Sequence, residues 1–284
     1  MPVFAPPDIL VLSGGGVLGE AWMTGVLAGI EDAAGADLRR TEAFVGTSAG
    51  SIVAASLAAG RSPRRPAEGA PAAAPARSSG DDDGSVNGGP GLRGALRTAG
   101  AAAWASTAPA ASAALTLGAP GGALVRAAAL ARMPSGHRSL GDVRARVERW
   151  GAPGAEVADA VVASCSIPWV FEPVSIGGRE YVDGGVWSVT NLDAAPAGRD
   201  THVLCLDVLS GLDPGARGMT AMRRAFRVAA ELETQSLRRR GAHVLRIGPD
   251  RGAADALGPD LMDPGPRDAA LAAGFRQGAV LAGG

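Results

Sequence analysis

Ser48 lies between small residues in the segment Gly46 to Gly50, which reads G-T-S-A-G. A short apolar segment, Thr41 to Val45, precedes this motif, and an apolar helical pattern over residues 50–59 follows it. A nucleophilic serine on a sharp strand-to-helix turn needs small neighbours, and the turn exposes its hydroxyl group near a helix N-terminus. This context favours a catalytic role for Ser48, although the pentapeptide alone is also typical of a capped helix start.

Three consecutive glycines, Gly14, Gly15 and Gly16, follow the apolar strand pattern of Asp8 to Leu12. Their backbone N–H groups could hold the oxyanion of a tetrahedral intermediate, where one donor is worth about 2.7–4 kcal/mol of barrier. Together with Gly19, the loop also fits G-x-G-x-x-G, the fingerprint of dinucleotide-binding folds. Those folds need an acidic residue after the second strand, where this chain has the serine motif instead. Nucleotide binding therefore ranks second, and a simple tight turn stays open.

Asp183 is followed by Gly184 and Gly185, directly after a predicted strand at Arg179 to Val182. A carboxylate held on a tight loop at a strand end is a candidate for the base that a serine nucleophile needs. The alternative is an Asp-Gly turn that only reverses the chain.

The three histidines of the chain are poorly placed for that role. His202 and His243 begin predicted strands, at the edge opposite to the one where an elbow serine would lie. His137 lies in a segment rich in Gly, Ser and Pro. Asp183 is therefore the remaining candidate for the base of Ser48.

The elements that must position these loops alternate between strand and helix, which predicts an α/β fold. The predicted strands are Asp8 to Leu12, Thr41 to Val45, residues 202–209 and His243 to Ile247, with a hairpin from Val174 to Val182 around Gly177 and Gly178. The predicted helices cover residues 19–33, 50–59, 139–150, 156–166, 219–240 and 266–282. Residues 61–134 interrupt this order, first with linker-like composition and then with an Ala-rich stretch.

Composition excludes several classes of protein. The net charge is −1 and all 27 basic residues are arginine, so a nucleic-acid binder that neutralises phosphates and any chemistry based on lysine are disfavoured. Two cysteines among apolar residues form no disulfide framework, which favours a reducing, cytoplasmic location. Neither a secretory signal nor a transmembrane stretch is expected. The 42 glycines and 20 prolines are explained by residues 61–134 together with the tight loops.

Four ordered blocks of the sequence resemble the patatin-like phospholipases. The blocks are the glycine loop from Gly14 to Gly19, the G-x-S-x-G around Ser48, residues 163–174 (ASCSIPWVFEPV), and Asp183 with its two glycines. The resemblance covers about 1–60 and 139–284. It implies a three-layer α/β/α fold with a mainly parallel central sheet. It also implies one domain over 1–284, in which the Gly/Ala/Pro-rich insertion at 61–134 would be a lid or cap.

The resemblance further implies a lipid acyl hydrolase with a Ser–Asp dyad, in which Ser48 is the nucleophile and Asp183 the proton acceptor. The amides of Gly14, Gly15 and Gly16 would form the oxyanion hole. The substrates would be lipid or other acyl esters, such as phospholipids, lysophospholipids or acylglycerols. Neither a metal nor a cofactor is implied, and peripheral contact with a membrane is left open. The sequence does not indicate the oligomeric state.

Two features of the sequence bear on the substrate. Trp169 and Phe171 are candidates for lining an acyl pocket, with a plain core role as the alternative. Leu18 stands where the family usually has Arg or Lys, which affects the expected phospholipid preference more than the hydrolase prediction. A catalytically silent member that acts through binding is the alternative function.

Overall fold

A four-stranded parallel sheet forms the frame of the protein. The computed structural model describes residues 4–67, 140–149, 155–168, 170–211 and 220–283. The sheet consists of β1 (Ile9–Leu12), β2 (Ala43–Gly46), β5 (His202–Leu206) and β6 (His243–Ile247), in the spatial order β2-β1-β5-β6. A separate antiparallel hairpin consists of β3 (Val174–Ile176) and β4 (Arg179–Tyr181).

Helices cover both faces of this sheet. They are α1 (Gly16–Ala34), α2 (Ala49–Ala58), α3 (Gly141–Arg149), α4 (Ala155–Ser164), α5 (Thr220–Arg239), α6 (Arg251–Leu257) and α7 (Arg267–Gly283). Because side chains alternate along a strand, Leu10 and Leu12 pack in a core with α1, α2, α6 and α7. Ile9 and Val11 point the other way, into a core with α5 and residues 192–197. The predicted three-layer architecture with a parallel central sheet is confirmed.

Most predicted elements occur with small shifts of their ends. The predicted strand 202–209 ends at Leu206, because Asp207 begins a turn in which its carboxylate accepts a hydrogen bond from the N–H of Leu209 (3.2 Å). The helix α6 was not predicted, although Asp250 caps it by accepting from the N–H of Ala253 (2.8 Å). The hairpin turn has the expected positive φ angles, 57° at Gly177 and 76° at Gly178.

Of the predicted insertion, only residues 61–67 are described, and 68–134 lie outside the described residues, as does His137. Among the described helices, none is both long and apolar enough to cross a membrane.

The parallel sheet sorts the candidate residues between its two edges. The first residues of β5 and β6, His202 and His243, are partners in register and stack with ring centroids 4.9 Å apart. The glycine loop follows the other end of β1, and the Ser48 motif follows the same end of β2. As expected, the two histidines lie at the edge of the sheet opposite to Ser48.

Candidate active site

Ser48 occupies a strained turn between β2 and α2. Its φ of 50° and ψ of −119° place it in a region that L-residues rarely adopt. A Cβ atom on Gly50 would overlap the Leu12 carbonyl of the neighbouring strand, and one on Gly46 would approach the Cα of Ser51 to 2.5 Å. Glycine is therefore required at these two positions, because Gly50 packs against the end of β1 and Gly46 packs against the first turn of α2.

Asp183 is buried beside this turn, with 5 % of its surface exposed. Its carboxylate accepts a hydrogen bond from the N–H of Gly185 (2.7 Å), and the Ser48 hydroxyl is close enough to lower its pKa. Burial raises the pKa of Asp183 to about 6, and the Gly185 hydrogen bond and the nearby Ser48 hydroxyl oppose the increase. A carboxyl with this pKa is still largely ionised at neutral pH, and it is a stronger base than a solvent-exposed aspartate.

The segment from Ala163 to Val174 connects the serine to the aspartate. The hydroxyl group of Ser164 accepts a hydrogen bond from the N–H of Ser48 (2.9 Å). Two residues later, the carbonyl of Ser166 accepts one from the N–H of Asp183 (2.9 Å). Through these contacts, the segment joins the serine loop to the aspartate loop. The sequence predicted no role for either serine, because their partners are distant in the chain.

The glycine loop also lies close to Ser48. A Cβ atom on Gly14 would be 3.6 Å from the Cβ of Ser48. The N–H of Gly14 donates to the carbonyl of Val189 (2.9 Å), so it is not available to an oxyanion. Within the described parts of the chain, the N–H groups of Gly15 and Gly16 have no acceptor. They lie at the N-terminus of α1, where the helix dipole favours negative charge.

A further donor is the N–H of Ala49, the first residue of α2, which also has no acceptor among the described residues. The amide that follows the nucleophile belongs to the oxyanion hole of many hydrolases with a G-x-S-x-G turn. This amide is not among the oxyanion-hole donors predicted from the sequence. The motif itself is the signal that could have indicated it.

The segment from Ser188 to Leu192 holds the three loops together. Asn191, with φ of 46°, donates from Nδ2 to the hydroxyl of Thr47 (2.9 Å) and to the carbonyl of Ser188 (2.6 Å). The carboxylate of Glu233 on α5 accepts from the hydroxyl of Thr190 (2.6 Å) and the N–H of Leu192 (2.8 Å). The two hydrogen bonds to Glu233 join residues that are distant in the sequence. They fix the loop whose Val189 carbonyl accepts from the N–H of Gly14.

The other residues singled out in the sequence lie in different surroundings. Gly184 lies near Thr47, since a Cβ atom there would be 3.5 Å from the Thr47 methyl group. Phe171 is partly buried, and its role in an acyl pocket stays a prediction, whereas Trp169 lies outside the described residues. Leu18 is fully buried in the main core, where a charged side chain would be desolvated.

Cys165 lies close to the site without the properties of a nucleophile. Its sulfur is 3.8 Å from the Ser51 hydroxyl. Burial, and next the negative charge of Asp183, raise the pKa of the thiol to about 12, so it stays protonated at neutral pH. Within the described part of the chain, no group of three or more His, Cys, Asp or Glu side chains is arranged to hold a metal ion.

A serine on a strained strand-to-helix turn of an α/β fold is a nucleophile elbow, and here it lies beside a buried carboxyl and backbone amides that have no acceptor among the described residues. A family model described as patatin-like phospholipase matches residues 10–196, which are 187 of the 284 residues. The chain therefore belongs to the patatin-like phospholipase family, as the resemblance in its sequence implied. This is a family of lipid acyl hydrolases. A comparison with curated proteins found no significant match.

Proposed function

We propose that the protein is a serine acyl hydrolase that cleaves carboxylic esters of lipids through an acyl-enzyme on a Ser48–Asp183 dyad. The observation that carries this proposal is the buried Asp183 carboxylate next to the Ser48 hydroxyl, whose interaction with the carboxylate lowers the pKa of Asp183. The strained backbone of Ser48 and the membership of the chain in a lipid hydrolase family support the same proposal. Phospholipids, lysophospholipids and acylglycerols are the substrate classes.

The reaction proceeds in two halves. Asp183 accepts the hydroxyl proton while Ser48 Oγ attacks the ester carbonyl, and the N–H groups of Gly15 and Gly16 stabilise the oxyanion. The intermediate collapses to the acyl-enzyme, and the leaving alcohol takes the proton from Asp183. A water molecule then attacks the acyl-enzyme and passes its proton to Asp183. Collapse releases the fatty acid, and the proton returns to Ser48.

The proposal is tested by hydrolysis of p-nitrophenyl esters and by labelling with a fluorophosphonate probe. Ser48→Ala should abolish labelling and reduce kcat by more than about a thousandfold, since no nucleophile remains. Asp183→Asn should reduce kcat by about a hundred- to ten-thousandfold through loss of the base. Ser175→Ala, at an exposed position of β3 outside the proposed dyad, is the control and should keep full activity.

Two results would contradict the assignment. If both site variants keep full activity, the dyad is wrong. If the wild-type protein is neither labelled nor active on any ester, the chain is a silent member of the family that acts through binding.

A further inference from the structure

The loop between α6 and α7, residues 258–266, reaches the glycine loop of the candidate active site. The carbonyl of Leu261 accepts a hydrogen bond from the N–H of Leu18 in the first turn of α1 (3.0 Å). A Cβ atom on Gly16 would lie 2.7 Å from that carbonyl oxygen and 2.8 Å from the Sδ atom of Met262. The 258–266 loop therefore packs directly on the backbone of Gly16, whose N–H group is one of the proposed oxyanion donors.

The sulfur of Met262 lies within reach of an ester bound at Ser48. A Cβ atom is about 2.5 Å from the backbone nitrogen of its own residue, so Sδ lies at most about 5 Å from the nitrogen of Gly16. An oxyanion that accepts a hydrogen bond from this N–H lies about 3 Å from the same nitrogen. The distance from the sulfur to the oxyanion is therefore at most about 8 Å, which an extended chain of about seven carbon atoms spans.

Hydrogen bonds within the 258–266 loop fix the backbone of Met262. Its N–H donates to Oδ1 of Asp260 (3.1 Å), and the N–H of Asp263 donates to the carbonyl of Asp260 (3.2 Å). The side chain of Met262 is nevertheless 53 % exposed. Methionine is flexible and polarisable, so an exposed methionine fits apolar ligands of different shapes. An alkyl chain that covers it would remove apolar surface of both partners from water.

We propose that Met262 determines specificity by contacting the acyl chain of the ester substrate. The acyl chain is the apolar part of a lipid ester, whereas the glycerol and headgroup on the leaving side are polar, so the acyl chain is the part that an exposed thioether favours. An acetyl group is too short to reach Met262, and esters of octanoate are therefore preferred to esters of acetate.

Met262 lies outside residues 10–196, which the family model matches, so the family match assigns it no role. The inference rests on the proposed function, because it places the ester carbonyl at Ser48 and the glycine loop. Its test therefore has one arm that needs turnover and one that does not.

The first arm compares kcat/KM for p-nitrophenyl octanoate and p-nitrophenyl acetate in the full-length protein. Met262→Gln keeps the length of the side chain but replaces the thioether by a polar amide, and it should lower the octanoate-to-acetate ratio about fivefold or more. Met262→Leu keeps an apolar side chain and should stay within about twofold of the wild-type ratio. Leu245→Gln is the matched control, because Leu245 on β6 is exposed to the same extent (54 %), and it should leave the ratio unchanged.

The second arm measures binding without turnover in a Ser48→Ala background. Calorimetry with 1-monooctanoylglycerol, an uncharged ligand used below its micelle concentration, gives the Kd. Adding Met262→Gln should raise this Kd about fivefold or more, whereas adding Leu245→Gln should leave it unchanged. Since this arm does not need the serine nucleophile, failure of the Met262 contact and failure of the hydrolase proposal are distinguishable.

Each outcome decides. A ratio that falls in Met262→Gln but not in Met262→Leu or Leu245→Gln supports the contact. If Met262→Gln slows both esters by the same factor, or leaves both unchanged, Met262 does not select the chain and the inference is overturned, while the hydrolase proposal stands. If the wild type hydrolyses neither ester, the hydrolase proposal fails and the binding arm decides alone. A Kd raised only by Met262→Gln then supports the contact, and absence of binding or an unchanged Kd overturns it.

Discussion

At the scale of single residues, the environment of Asp183 links catalysis to stability. An aspartate at its ordinary pKa near 4 is a weak base for a serine hydroxyl. Burial raises the pKa of Asp183 to about 6, which makes the carboxylate a stronger base. Because this pKa is still below 7, most of the group remains ionised at pH 7. The same burial disfavours the charged form that the reaction requires.

The first prediction concerns the pH dependence of activity. Only the ionised carboxylate accepts the proton of Ser48, so kcat/KM for a neutral p-nitrophenyl ester should rise with pH, with a midpoint near pH 6. The measurement is a pH–rate profile at constant ionic strength. A midpoint near pH 4 would show that burial does not control this carboxyl.

The second prediction concerns folding. The pKa of Asp183 is higher in the folded protein than in the unfolded chain, so the folded state binds the proton more tightly. The free energy of unfolding therefore falls as pH rises from about 4 to about 6, and the ionised group costs about 1–3 kcal/mol above that range. Asn at position 183 carries no charge, and its amide oxygen can still accept from Gly185.

Asp183→Asn should accordingly be more stable than the wild type at pH 8, and equally stable at pH 4. Urea denaturation at the two pH values measures the difference. An effect of the same size at both pH values would mean that the charge of Asp183 is not responsible.

Whether a feature of the site could be predicted from the sequence depends on how far apart in the chain its contacting residues are. Ser48 and Asp183 stand in local patterns of small residues, so sequence spacing was enough to select them as candidates. The use of the Gly14 amide by Val189, and the contact of Ser164 with Ser48, join segments more than 100 residues apart. Local patterns carry no information about such pairs. The loop of three glycines was therefore predicted, but the hydrogen bond from the N–H of Gly14 to Val189 was not.

At the scale of elements, α5 supports the site through Glu233. This residue is 3 % exposed, and its Oε2 accepts from both Thr190 and Leu192. Burial raises its pKa, while its hydrogen bonds lower it. Since the neighbouring Val189 carbonyl receives the N–H of Gly14, Glu233 is a positioning residue for the glycine loop.

The third prediction separates positioning from simple stability. Glu233→Ala should lower kcat by about tenfold or more with little change in KM, because the Thr190 hydroxyl and the Leu192 N–H lose the acceptor that fixes the 188–192 segment. Glu233→Gln keeps an acceptor oxygen and should restore most of kcat. Ester kinetics and thermal melting are measured for both variants. If kcat follows the melting temperature alone, with no rescue by Gln, the role is only structural.

Close packing of α1 against α7 is the second feature at this scale. Gly25 and Gly29 on α1 face Gly274 and Gly278 on α7, each spaced by four residues and therefore on one side of its helix. A Cβ atom on any of them would overlap backbone atoms of the opposite helix. The glycines thus allow the two backbones to approach directly.

The fourth prediction tests that approach. Gly29→Ala should destabilise the protein by about 1–3 kcal/mol, since the added methyl group meets the Phe275 carbonyl. Gly252→Ala is the matched control, because a Cβ atom there meets only Asp250 Oδ1 at 3.6 Å. In a helix without steric conflict, alanine is favoured over glycine by up to about 1 kcal/mol. Chemical denaturation should therefore give shifts of opposite sign, and equal shifts would argue against the close approach.

At the scale of the whole molecule, the sheet combines strands from both halves of the chain. The alternating pattern predicted an α/β fold because each strand is a short apolar run between loops. It did not predict that β5 (His202–Leu206) lies between β1 and β6. The order of parallel strands depends on how helices pack after long crossovers, and apolar runs of similar composition do not encode it locally.

The fifth prediction follows from that order. The matched family region ends at residue 196, yet β1 pairs with β5 along its whole length and Trp22 Nε1 donates to Gln277 Oε1 (2.9 Å). A fragment of residues 1–196 lacks half of the parallel sheet and the partner of α1, so its main core stays open to water. It should be unfolded by circular dichroism and show no cooperative urea transition.

Co-expression with residues 197–284 should restore a soluble complex by supplying β5, β6 and α7. Cooperative unfolding of the isolated fragment would instead mean that residues 10–196 form a folding unit of their own.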